Sequence, residues 1–132
     1  MPGAFTPPEP GKGDANTIGG YAAVHGRPAA FLGVDGLSYS VEIATDSTGE
    51  REKPFGAYFL FLRWNETADP VVTGHIETPF LEFAASAQLA GEQLGRMPLS
   101  LVKELLDQLI RERTDAQGTR RWWEAMRDED GR

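Results

Sequence analysis

The chain has 132 residues, carries 13 Lys/Arg against 20 Asp/Glu for a formal net charge of −7, and contains no cysteine. That length suits one domain with a core of its own. The missing thiols exclude disulfides, thiolate catalysis and cysteine-ligated zinc. The acid excess sits in residues 1–110, with 14 Asp/Glu against 7 Lys/Arg, whereas residues 111–132 carry 6 of each. An acidic body argues against nucleic acid, whose phosphates call for a basic surface.

Residues 1–20 hold Pro2, Pro7, Pro8, Pro10 and several glycines, with Phe5 and Ile18 the main large apolar side chains. Too little surface is available there to offset the entropy of ordering, which predicts a flexible arm over 1–20 with Phe5 as an anchor for any partner. The segment has neither the basic flank nor the apolar core of a signal peptide, and the chain has no membrane-length apolar run. A soluble, cytoplasmic protein is expected.

Tyr21–Val24 reads as a short strand ended by His25-Gly26-Arg27-Pro28. The pair Asp35-Gly36 within Val34-Asp35-Gly36-Leu37 predicts a hairpin with a two-residue type I′ turn. That turn pairs Val34 with Leu37, Leu32 with Tyr39 and Ala30 with Val41, which places these six and Ile43 on one face. Phe31, Ser38, Ser40 and Glu42 then share the other. Asp46–Lys53 is a polar connection.

Residues 55–64, Phe-Gly-Ala-Tyr-Phe-Leu-Phe-Leu-Arg-Trp, form the central strand. Alternation puts Tyr58, Leu60, Leu62 and Trp64 on one side and Ala57, Phe59, Phe61 and Arg63 on the other. Both sets are largely apolar, so a cover is expected on each face. After a turn over Asn65–Pro70, Val71–Thr78 returns alongside. Opposing Trp64 to Val71 sets Phe61 against Gly74, Phe59 against Ile76, Leu60 against His75 and Tyr58 against Glu77.

Pro79 marks a bend, and Phe80–Phe83 continues as a short strand. Ser86 is a helix N-cap for 86–95, with Gly95 as the stop. Pro98 begins a stronger helix over 99–113. Its Leu99, Leu101, Val102, Leu105, Leu106, Leu109 and Ile110 span about half the circumference, broad enough to meet both a sheet and a second helix. The domain therefore runs from 21 to 113. A helical tail, 114–132, follows, in which Trp122 and Met126 are one turn apart. Trp122, Trp123 and Met126 are candidate partner-binding residues. The adjacent Arg120 and Arg121 also suit a lipid or nucleic-acid anchor, but nearby acids offset their charge.

Chemistry has one candidate constellation. His75 and Glu77 project from one strand face, near Tyr58, and a His–Glu pair can do acid–base work. With His25, they would be the candidate metal ligands, since two imidazoles and a carboxylate make a usable donor set. The sequence contains no Walker loop, Gly-x-Gly-x-x-Gly, His-Glu-x-x-His or Gly-x-Ser-x-Gly, and no cofactor is expected. The sequence reads as an α+β fold. A mostly antiparallel sheet of four to six strands, flat or curled toward a barrel, precedes C-terminal helices that pack on one face. The corresponding function is a non-enzymatic binding or protein-interaction module, an accessory subunit of a larger assembly, with a protein partner or a second copy covering spare apolar surface. The alternative is a small enzyme or ligand- or metal-binding domain using Tyr58, His75 and Glu77.

Overall fold

A computed structural model describes residues 13–65 and 71–113. In chain order the elements are α1 (Ile18–His25), β1 (Ala30–Leu32), β2 (Ser38–Ser47), β3 (Phe55–Trp64), β4 (Val72–Glu77), β5 (Glu82–Ala84), α2 (Ala87–Leu94) and a third helix, α3, at 99–113. The fold is α+β. The sheet is antiparallel, ordered β1-β2-β3-β4, with β5 also paired to β3. It is open and does not close into a barrel. Phe5, Trp122, Trp123 and Met126 lie outside the described residues, as do most of the Asn65–Pro70 turn and the tail from 114.

β3 is the central strand that its composition requires. All ten of its residues pair with β2, from Phe55 with Ser47 to Trp64 with Ser38. Its other margin is shared: β4 takes Leu60–Trp64 and β5 takes Phe55–Ala57. The bend at Pro79 separates these two pieces of what is otherwise one antiparallel partner. Across the gap, Thr78 and Leu81 donate their N–H groups to the carbonyls of Phe59 and Ala57.

The helices cover one face only. Tyr39 and Val41 from β2, Ala57, Phe59 and Phe61 from β3, and Ala84 from β5 join Ile18 of α1, Ala90 and Leu94 of α2, and Val102, Leu106 and Ile110 of α3 in one buried cluster. Ser86 caps α2 as expected, its hydroxyl accepting from Leu89 N at 3.1 Å. On α3 the buried stripe is narrower than the leucine run: Val102, Leu106 and Ile110 are buried, Leu99, Leu105 and Leu109 are half-buried, and Leu101 is exposed.

Three expectations are corrected. The strand expected at Tyr21–Val24 is helix α1. Two adjacent glycines make it a poor helix former, yet it is closed at both ends. Thr17 Oγ1 accepts from Gly20 N, and Gly26, at φ 67°, returns its N–H to Ala22 O. The N–H groups of Ile18 and Gly19 donate to Met97 O and Gly95 O, so packing against the α2–α3 link overrides propensity. A side chain at Gly19 would put its Cβ 3.0 Å from Gly95 Cα.

The β1–β2 hairpin slips by one residue. The pairs are Ala30–Ser40, Phe31–Tyr39 and Leu32–Ser38. A type I′ turn needs positive φ at both central residues, and among the described residues only glycines adopt it, here Gly36 at 82°. Gly36 N donates to Gly33 O and Gly33 N to Leu37 O, which makes a longer loop. The slip exchanges the faces of β1: Phe31 joins Tyr39 against the core and Leu32 faces outward.

The β3–β4 register is shifted by two, giving Phe61–Ile76, Leu62–His75, Leu60–Glu77 and Arg63–Gly74. A shift of two preserves faces. Gly74 does leave room for a neighbour, but that neighbour is the Arg63 guanidinium, whose Nη2 would lie 2.7 Å from an added Cβ.

Candidate functional site: the open sheet face

The second face of β3 has no cover among the described residues. Tyr58, Leu60, Leu62 and Trp64 are only half-buried and stand outside the core cluster. The expectation of a layer on each side therefore holds for the helix face alone. Neighbouring strands extend the exposed patch. On β1, Leu32 is 59% exposed, and on β5, Phe83 is 39% exposed.

One end of this face is aromatic. Phe80, carried by the bend after Pro79, folds over Gly56, where an added Cβ would strike its ring. Its ring lies 5.8 Å from those of Tyr58 and Phe83, both edge-on. Edge-to-face rings at this spacing support one another beyond simple burial. Leu60 and Leu62 form the middle of the face. At the far end Trp64 donates its Nε1–H to Ser40 Oγ at 2.9 Å, which fixes the indole on the sheet.

Among the described strand residues, the charges on this face have one sign. Glu42 and Glu77 flank Leu60 from either side, and Asp46 pairs with Gly56. Arg63 is the only lysine or arginine in the five strands, and it belongs to the helix face. There its Nη2 donates to Thr73 O at 2.9 Å and its Nε to Thr73 Oγ1 at 3.2 Å. Beside it Tyr39, 1% exposed, donates its hydroxyl to Asp35 Oδ2 at 2.7 Å. Burial, then the Asp35 hydrogen bond and charge, push the Tyr39 phenol up to about 12, with Arg63 acting in the opposite sense.

The three residues singled out for chemistry share this face but only partly converge. Tyr58 and Glu77 line a shallow cup of about 350 Å³ with Asp46, Thr78, Pro79 and Phe80. His75, opposite Leu62, is not among its lining residues. His25 is on the other side of the sheet, at the end of α1, its ring 4.2 Å from Tyr21. The structure thus does not bring the two histidines together, and among the described residues no three His, Asp or Glu side chains are placed to hold a metal ion. The cup offers carboxylates beside π faces, an arrangement that attracts an ammonium or guanidinium group.

A groove of about 880 Å³ lies between α1 and α2, its wall including Gly13, Gly19, Gly20, Gly91 and Gly95. Gly19 and Gly95 mark the close approach of the α1 and α2 backbones, so that end of the groove follows from packing. Leu60, Leu62, Trp64, Phe80 and Phe83 escaped the list of candidate site residues because alternation shows which side chains share a face but not whether that face is covered.

Comparison of the chain with models of known protein families, with curated proteins and with solved structures finds no match. No helix among the described residues is long and apolar enough to cross a membrane.

Proposed function

We propose that this protein is a non-enzymatic interaction module whose open sheet face grips a protein segment carrying apolar and cationic side chains. The observation that carries this reading is the pairing of an aromatic and leucine surface, uncovered among the described residues, with carboxylates and with no lysine or arginine on the strands of that face. Exposed apolar surface of this kind is a mark of an interaction site, and aromatic anchors dominate the energetics of such contacts. Complementary charge would select the partner and speed its approach. Pairing this face with its own copy would bring carboxylates toward carboxylates, so the reading favours an unlike partner over a homodimer. Catalysis has less support, since Tyr58 and Glu77 line the cup without His75.

Selection from a random-peptide display library against the immobilised full chain tests the reading. The expected binders combine Arg or Lys with Trp, Phe or Leu. They should lose affinity by about tenfold or more, or ~1.4 kcal/mol, toward Leu60→Ser/Leu62→Ser, a variant checked by its unfolding curve. They should lose it also toward Glu77→Lys. Binders without a basic, apolar consensus, or binders that ignore both variants, would overturn it.

A further inference from the structure

We infer that the open face has an occupant within the chain itself: residues 119–127, Thr-Arg-Arg-Trp-Trp-Glu-Ala-Met-Arg, which dock on it in cis and compete with an outside partner. This rests on the reading of the face as a binding surface for apolar, cationic segments.

Three observations converge on this segment. The first is chemical. It carries Arg120, Arg121 and Arg127 against one glutamate, together with Trp122, Trp123 and Met126. It is the one stretch of the sequence that unites clustered arginines with large apolar side chains, which is what Tyr58, Leu60, Leu62, Glu42, Asp46 and Glu77 call for. Arginine stacked on the Tyr58 and Phe80 rings while facing a carboxylate would use both features of the cup.

The second is where the helix delivers the chain. Arg113 Nη1 donates to the backbone carbonyl of His75 at 2.8 Å. His75 stands opposite Leu62, the middle of the open face, so the last described residue of α3 touches the margin of the patch level with its centre.

The third is reach. The five residues 114–118 can span at most ~17 Å when extended. Crossing from β4 over β3 to β2 needs two strand spacings, ~10 Å. On α3 itself the exposed apolar side chain, Leu101, is twelve residues back from Arg113, ~18 Å away along the helix. That direction is away from the end of α3 that leads into the segment.

The chain lacks cysteine, which permits a direct test in the full-length protein. His75→Cys/Ala125→Cys places one thiol at the face and one in the segment, and Glu104→Cys/Ala125→Cys places the first on α3 instead. With a short bis-maleimide, the 75–125 pair should cross-link within one chain about tenfold faster than the 104–125 pair, the ratio reporting local concentration. Adding Trp122→Ala/Trp123→Ala or Glu42→Lys/Glu77→Lys should abolish that advantage. Equal rates for the two pairs, an advantage that survives these substitutions, or a link formed between chains, would overturn the inference. Display selection on Trp122→Ala/Trp123→Ala separates the two claims. Peptides that bind it and wild type equally leave the face as a partner site and remove the internal occupant. Failure to find basic, apolar binders on either would remove both.

Discussion

Thr78 completes the β-ladder of Phe59 with its side chain: its Oγ1 accepts the Phe59 N–H at 3.0 Å while its own N–H donates to Phe59 O at 3.0 Å. Phe59 is fully buried and Thr78 nearly so, and the hydroxyl also donates to Pro79 O at 2.8 Å. The bend between β4 and β5 would otherwise leave a donor of the central strand without a partner, away from water.

Thr78→Val keeps the shape and removes the acceptor. An unsatisfied buried N–H costs ~1–3 kcal/mol, so denaturant unfolding should shift by that amount and the Phe59 amide should exchange faster. Thr78→Ser should restore most of the loss. Unchanged stability in the valine variant would mean that another acceptor serves Phe59.

Adjacent residues of β3 should respond very differently to truncation. Phe61 is fully buried against the helices, and Phe61→Ala should cost ~3–5 kcal/mol. Leu62, one position on, faces the open side, and Leu62→Ala should cost no more than ~1 kcal/mol. Comparable losses from equilibrium unfolding would contradict a one-sided core.

Tyr39 makes stability sensitive to alkali. Its folded-state phenol is pushed up from 10.0 to about 12, so above pH 10 the unfolded chain releases this proton first and binds fewer protons than the native state. The slope of unfolding free energy with pH is then negative. The contribution is complete below pH 10 and is lost as pH rises through about 12, a fall of ~2–3 kcal/mol. Tyr39→Phe should flatten that window in unfolding curves measured between pH 9 and 12.

Asp107 ties the hairpin to α3. Its Oδ1 accepts Val34 N at 2.8 Å, and its Oδ2 is paired with Lys103 one turn earlier. Asp107→Ala should cost ~1 kcal/mol and selectively raise exchange at Val34. Uniform change across the hairpin would point to wider unfolding.

At Gly19 the gain in helix propensity from alanine, up to ~1 kcal/mol, should be outweighed by a clash with backbone. The new Cβ would meet Gly95 Cα and O at 3.0 Å, and a main chain held in α1 and the α2 cap cannot yield as a side chain does. A net loss of ~1–3 kcal/mol is expected by thermal or denaturant unfolding.

Local signals were legible where they were self-sufficient. Ser86 announced α2, Pro98 and the leucine spacing announced α3, and the apolar run from Phe55 announced the central strand. Helix α1 was hidden because Gly19 serves a contact with Gly95 that no local window contains. Asp35-Gly36 marked the hairpin but not its register, because a single positive φ at Gly36 selects a longer loop. On β4 the register moved by two without disturbing the faces, so Tyr58, His75 and Glu77 were placed on the right side and with the wrong neighbours. The open face was the least legible feature. Tyr58, Leu60, Leu62 and Trp64 say that they could be covered, while the crossing points of α1, α2 and α3 decide that, among the described residues, they are not.

The guanidinium groups of Arg63 and Arg113 have a consequence for the β4 edge of the sheet. They occupy the Thr73 and His75 carbonyls of β4, and Pro79 interrupts the run before β5. A foreign strand laid along that flank would find two of its acceptors already engaged, so lengthening of the sheet by intermolecular main-chain pairing, the route to both β-augmentation and fibril growth, is hindered there. Along the β4 flank, contact with another molecule is therefore left to side chains, perpendicular to the plane of the strands.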